Sequence, residues 1–201
     1  MLIEESLDEL KEEIREMAGR SLAIFDKAVE MLHSRDASVL SEVKDMDKVI
    51  DSMEMKLDRH CMALLLKEPY GMDFRYIFST VKTIGDLERV GDQCKTIAKW
   101  SLKLDGDLPQ NMDELVKKSK EAILTAIEAL LETDAEKARK VLELEFQVDD
   151  LEDKIIQSNK CNIAEAFIAK ALEKIGDIAT NIGENVIFNV DATDIRHGGF
   201  K

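Results

Sequence analysis

The residues of this chain best able to do chemistry are carboxylates, and they recur in a pattern. Leu87-Glu88-Arg89-Val90-Gly91-Asp92 returns 85 positions later as Leu172-Glu173-Lys174-Ile175-Gly176-Asp177. In each copy the glutamate and aspartate stand four residues apart, which on a helix puts them on one face, close enough to repel or to share a cation. The glycine between them costs about 1 kcal/mol relative to alanine inside a helix and implies close approach by another backbone or a ligand. Two departures from the choice of a stable isolated helix, repeated in step, mark a functional site.

A second acidic set accompanies the first. A shift of 98 lays Asp36-Ala37 on Asp134-Ala135, Val43 on Val141, Asp47 on Glu145, Asp51 on Asp149 and Glu54 on Glu152. Counted from a turn at Tyr70, Asp51 lies 19 residues back and Glu88 18 forward; about a turn near Lys160 the counts for Asp149 and Glu173 are 11 and 13. On antiparallel neighbours the pairs reach nearly equal heights, so Asp47, Asp51, Glu88 and Asp92 can converge, as can Glu145, Asp149, Glu173 and Asp177. Like charges gathered in this way destabilise the fold or raise one another's pKa unless something positive sits among them. A hard cation is the simplest remedy. All-oxygen ligation suits magnesium, calcium, manganese or ferric iron, whereas zinc and copper usually take histidine or cysteine. Glu54 and Glu152, one turn further along, extend each set toward a second metal. The plain alternative is a pair of solvated acidic faces, at roughly 0.2–0.5 kcal/mol per like-charged pair.

A ferritin-like di-iron oxidase also collects carboxylates inside a helical bundle, but it needs Glu-x-x-His on two helices. The histidines are His33, His60 and His197, and only His197 has an acid three residues before it, Asp194. There is no phosphate-cradling glycine loop, no GxSxG and no histidine-centred triad, so an enzyme is not expected. Cys94, beside the first motif, reads as a small buried residue rather than a nucleophile. Arg89 and Lys174 read as ordinary ion-pair partners of the neighbouring acids.

The elements that position these groups are helices. Leu7, Leu10, Ile14, Met17, Ile24, Ala28 and Met31 follow steps of three and four, with Ser21 as the polar interruption, and predict one long amphipathic helix ending near His33-Ser34-Arg35. Asp36 is placed to cap a second, from about Ala37 to Leu66, whose inner face carries Leu40, Val43, Ile50, Met53, Leu57, Cys61 and Leu64. Lys67-Glu68-Pro69-Tyr70-Gly71 breaks it. A third helix capped by Asp73 buries Phe74, Ile77, Val81, Ile84, Val90 and Ile97 and runs to about Leu104. Met17, Met31, Met53 and Met62 read as core.

Asp105-Gly106-Asp107-Leu108-Pro109 is the expected linker, with Pro109 in the first turn of the next helix. Three further helices are predicted over about 110–132, 135–157 and 163–189, and the tail from Asp191 is expected to be partly mobile. The fold class is therefore all-α, two tandem three-helix bundles over 1–104 and 105–201. The two repeat shifts differ by 13 residues, so the second hairpin is trimmed by about two turns, on the order of 10 Å, in each arm.

A net charge of −14 argues against nucleic acid, whose affinity rests on lysine and arginine displacing counterions, and suits cations or basic protein surfaces. Only 2 prolines and 5% aromatics agree with helices rather than sheets. Three cysteines, Cys61, Cys94 and Cys161, with no CxxC spacing fit reduced thiols in a cytosolic protein. The amino terminus lacks a signal peptide's basic start and apolar core, and no apolar run reaches the ~18 residues of a membrane span.

The chain resembles the PhoU family, regulators of phosphate uptake that act with a phosphate transporter and a sensor kinase. The resemblance rests on Asp73-Phe74-Arg75, on Lys82-Thr83-Ile84 ahead of Leu87-Glu88-Arg89-Val90-Gly91-Asp92, on Glu173-Lys174-Ile175-Gly176-Asp177 followed by Asn181-Ile182, and on Asp194-Ile195-Arg196-His197. It implies two three-helix bundles side by side, with iron, magnesium or manganese held on their surfaces by paired E(D)xxxD motifs. Position by position, the implied ligands are Asp47, Asp51, Glu88 and Asp92, and Glu145, Asp149, Glu173 and Asp177. It further implies a cytoplasmic protein, often a homodimer, that meets the membrane peripherally through the transporter ATPase and regulates rather than catalyses. The trimmed second hairpin departs from the family's usual equal lengths, which leaves a different transporter or channel open as partner.

Overall fold

The computed structural model describes residues 3–67, 71–158 and 161–193. Among these the chain forms α1 (Ile3–Ser34), α2 (Ala37–Leu65), α3 (Gly71–Ser101), α4 (Met112–Glu132), α5 (Ala135–Ile156) and α6 (Ile163–Asp191). The first three pack against one another and so do the last three, while α3 and α6 lie against each other as the seam between the bundles.

Local chemistry sets the helix ends. Asp36 accepts the Ser38 amide at 2.9 Å, as an N-cap should. Asp134 does the same for Glu136 and Lys137, and Asn162 and Glu165 form a reciprocal capping box. Asp73 is not a cap: α3 begins two residues earlier, and Asp73 sits in its first turn, where a carboxylate faces the positive end of the helix dipole. Pro109 also falls outside a helix. Asn111 takes a left-handed φ of 75°, which interrupts helical geometry, and α4 starts only at Met112. Arg35, with φ 54°, reverses the chain between α1 and α2 and donates to the Gly106 carbonyl at 2.5 Å, fastening this corner to the linker.

Every apolar position read from α1, from Leu7 to Met31, is buried, and the polar interruption Ser21 is buried too, donating to the Met17 carbonyl at 3.0 Å and the Leu87 carbonyl at 3.3 Å. Met62 departs from its expected core position. It is 65% exposed, because Leu57, Cys61 and Leu64 define the inner face of α2 and Met62 lies a third of a turn beyond it. One apolar core runs without interruption through both bundles. The breaker around Pro69 and Tyr70, the turn at Asn159-Lys160 and the tail from Asp194 lie outside the described residues.

The trimming at the hairpin tip is shared, seven residues on each arm once the repeat shifts are applied, but the overall lengths differ. Helix α5 has 22 residues where α2 has 29, but α6 has 29 where α3 has 31. Helix α6 recovers at its carboxyl end most of what it loses at the hairpin tip, so the tip is short on both arms and only α5 is much shorter overall.

Candidate metal centre

The two motif glycines are packing positions. A Cβ on Gly91 would lie 2.9 Å from Asp47 Oδ1 and 3.6 Å from Ile50 Cδ1, and one on Gly176 would lie 3.0 Å from Val148 Cγ1. Ile50 and Val148 are themselves related by the 98-residue shift, so α2 meets α3 and α5 meets α6 in the same register. Without side chains at these crossings the helices draw close and hold the acids of one against those of the other.

In the second bundle three of the four candidates converge. A carboxylate oxygen from each of Asp149, Glu173 and Asp177 lies within 4.8 Å of the other two. Oxygens bound to one hard cation at about 2.0–2.5 Å are separated by no more than about 4–5 Å, so this spacing fits a shared ion. Glu173 is only 8% exposed, and its Oε2 has no hydrogen-bond partner. A buried acceptor without a hydrogen bond is unfavourable by about 1–3 kcal/mol, and here the Lys174 ammonium 3.5 Å away is its charge partner. Partial desolvation and then Glu173 and Asp177 push the Asp149 carboxyl up from its ordinary range. Glu145, the fourth candidate, stands beside the triplet and is pushed up by desolvation and by Asp149 and Asp177. Lys174 lies 2.5 Å from Asp177 and 3.5 Å from Glu173, and Lys170 lies 2.9 Å from Glu173 and 3.5 Å from Glu152.

The first bundle arranges the corresponding acids differently. Among the described residues Asp51, Glu88 and Asp92 do not form a comparable group. Lys95 reaches between α2 and α3, 2.6 Å from Asp47 Oδ2 and 2.7 Å from Asp92 Oδ1. Burial works against its charge, yet these two bonds outweigh it and hold the ammonium well above the usual lysine range. Asp47 is 3% exposed, and its other oxygen rests over Gly91. Glu88 remains crowded: desolvation, then Asp92, Glu54 and Asp51, raise its carboxyl to about 6.

A polar cleft of about 510 Å³ opens along the α3–α6 seam next to Glu88, lined by Glu54, Lys82, Asp86, Arg89, Asn181 and Asn185 among others. Asp86 is buried in its wall, with Arg89 at 3.5 Å and the Asn185 amide donating at 3.4 Å, and burial raises its carboxyl to about 6. The 85-residue shift that relates α3 to α6 lays Lys82 on Phe167, Asp86 on Ala171 and Trp100 on Asn185. The equivalent crossing is accordingly closed by Trp100 stacked on Phe167, with ring centroids 4.3 Å apart.

The PhoU domain profile matches residues 14–101 and again 112–186, one stretch in each bundle. The chain belongs to the PhoU family. The phosphate-specific transport system accessory protein PhoU homolog of Pseudomonas aeruginosa is 30% identical to it over 212 residues, 96% of this chain and 87% of that protein. The crystal structure of PhoU from Pseudomonas aeruginosa superposes with a TM-score of 0.87 at 25% identity, over 96% of this chain and 100% of that one. The phosphate transport system regulatory protein PhoU from Streptococcus pneumoniae gives the same TM-score at 23% identity, over 96% of this chain and 99% of that one. By PhoU family membership the chain is an accessory and regulatory protein, not an enzyme.

Sequence reasoning missed Lys95, Lys170 and Asp86. For Lys95 a signal existed, since the 85-residue shift pairs it with Thr180 and so places a charge in one copy where the other has none. Arg89 and Lys174 are ion-pair partners as read, of Asp86 and of Asp177. Cys61, Cys94 and Cys161 carry free thiols; Cys94 is fully buried and burial pushes its thiol up, which makes it a poor nucleophile. Among the described residues no helix is long and apolar enough to cross a membrane.

Proposed function

We propose that this PhoU-family chain is a metal-binding regulator of phosphate uptake and phosphate-starvation signalling. It acts in the cytoplasm, as a homodimer, by contact with the ATPase of a phosphate transporter and with a sensor histidine kinase. The observation that carries the reading is the match of the PhoU domain profile to both bundles, on the same helices that gather the acids. Asp149, Glu173 and Asp177, with Glu145 beside them, would hold a hard cation such as magnesium, manganese or iron. Bound there, the ion would cancel the mutual repulsion of these carboxylates and lower the negative charge of the face that α5 and α6 present to a partner. Asp47, Asp51, Glu88 and Asp92 are the other candidate set.

Deleting the gene is expected to derange phosphate uptake and phosphate-starvation signalling, followed by labelled phosphate and by a starvation-responsive reporter. Restoring the wild-type chain should correct both, and restoring Asp177→Asn should not. Unchanged behaviour in both assays would refute the assignment. A second reading, a PhoU-domain regulator of another transporter or channel, is favoured by the 22-residue α5, which alters one hairpin tip relative to the 29-residue α2. Pull-down of the tagged chain from membranes distinguishes the two by the transporter recovered.

A further inference from the structure

We propose that Lys95 is the resident cation of the first bundle, so that this chain holds metal through its second bundle alone. The inference rests on the metal-binding reading just given and narrows it. The two bundles offer matched triplets, Asp51, Glu88 and Asp92 against Asp149, Glu173 and Asp177, related residue by residue through the 98- and 85-residue shifts. Only the second triplet is assembled. One difference between them that bears directly on the aspartate lies one turn along from it: Lys95 in α3, Thr180 in α6.

Lys95 places one positive charge where two helices present carboxylates, bonding Asp47 at 2.6 Å and Asp92 at 2.7 Å. It thereby ties Asp92 of α3 to Asp47 of α2 through a shared ammonium. An ion entering there would have to displace an ammonium whose partner Asp47 is buried and whose own side chain is two-thirds buried. The second bundle has lysines too, but Lys170 and Lys174 are each about half exposed. Lys174 joins Glu173 to Asp177 along their own helix, which keeps the triplet together, and both lysines can withdraw to solvent when an ion arrives. Glu173 Oε2 is buried without a hydrogen bond, and its charge partner is the half-exposed Lys174 ammonium, 3.5 Å away.

The test is metal content and calorimetric titration with manganese on chelator-stripped chain, using wild type, Asp92→Asn, Asp177→Asn, Lys95→Thr, Lys95→Thr with Asp92→Asn, and Thr180→Lys. Wild type should lose essentially all bound manganese with Asp177→Asn and none with Asp92→Asn. Lys95→Thr should roughly double the metal held, the gain being lost again with Asp92→Asn. Thr180→Lys should empty the second site. If Lys95→Thr is too unstable without metal, a melting temperature that rises on adding manganese, through a response requiring Asp92, reports the new site instead. Wild-type metal that falls with Asp92→Asn would overturn the inference while leaving the metal-binding reading intact. No metal in wild type but binding in Lys95→Thr would support the role of Lys95 and overturn the reading of the second bundle. No binding in either would overturn both.

Discussion

At the scale of single residues, glycine and aspartate give the sharpest expectations. Gly91→Ala would press a methyl group onto a carboxylate that cannot turn away, since Asp47 is buried and its other oxygen is held by Lys95. It should destabilise the chain by about 1–3 kcal/mol in denaturant titration, as overpacking does. Gly19→Ala, with nothing within 4 Å of the new methyl and a mid-helix position in α1, should stabilise by about 0.5–1 kcal/mol. Asp86 yields a pH signature. Its folded value of about 6 lies above the ordinary 3.8, so its protonated form stabilises the fold fully below about pH 4, and that contribution is lost as pH rises through 6. Asp86→Asn should therefore raise the melting temperature at pH 7.5, by on the order of 1 kcal/mol in stability, and bring little change at pH 4. The acids were legible in the sequence because carboxylates spaced by four and repeated twice are visible without coordinates. For Lys95 the break in the repeat against Thr180 was visible, but its bond to Asp47 was not, because a lysine's reach across to a neighbouring helix depends on side-chain conformation, which spacing does not encode.

At the scale of elements, the helices were legible to within a few residues, since a period of 3.6 carried over 20 to 30 positions leaves little choice. The misses come from short-range backbone chemistry. Pro109 pointed to a helix start, but the left-handed Asn111 set it at Met112. Met62 has core chemistry in an outward position, because periodicity fixes a stripe and not its width. The 13-residue difference between repeats was visible and falls on both arms of the hairpin, whereas the added residues at the far end of α6 were not visible, because they lie outside the repeated motifs. The aromatic crossing of the seam belongs to this scale as well. Trp100→Ala removes a stacked partner from Phe167 and should lower stability by about 1–3 kcal/mol, less than at a fully buried aromatic because Trp100 is half-buried and Phe167 is 48% exposed. A thermal melt followed by circular dichroism measures it.

At the scale of the whole molecule, the uninterrupted core predicts that the bundles unfold together. Trp100 is the only tryptophan and sits on the seam, so its fluorescence reports the junction while far-ultraviolet dichroism reports all the helices. The two melting curves should superimpose, and curves that separate would mean that the bundles are independent units. The seam also bears on how such a protein could speak to its partners. With α3 and α6 pressed together and their apolar residues shared, prising the halves apart would wet the centre of the molecule, so it is not built to open and shut like jaws. An ion arriving at one end would be read by a neighbour as a change in electrical potential on a stiff body, and salt concentration, more than temperature, would tune how strongly that message is felt.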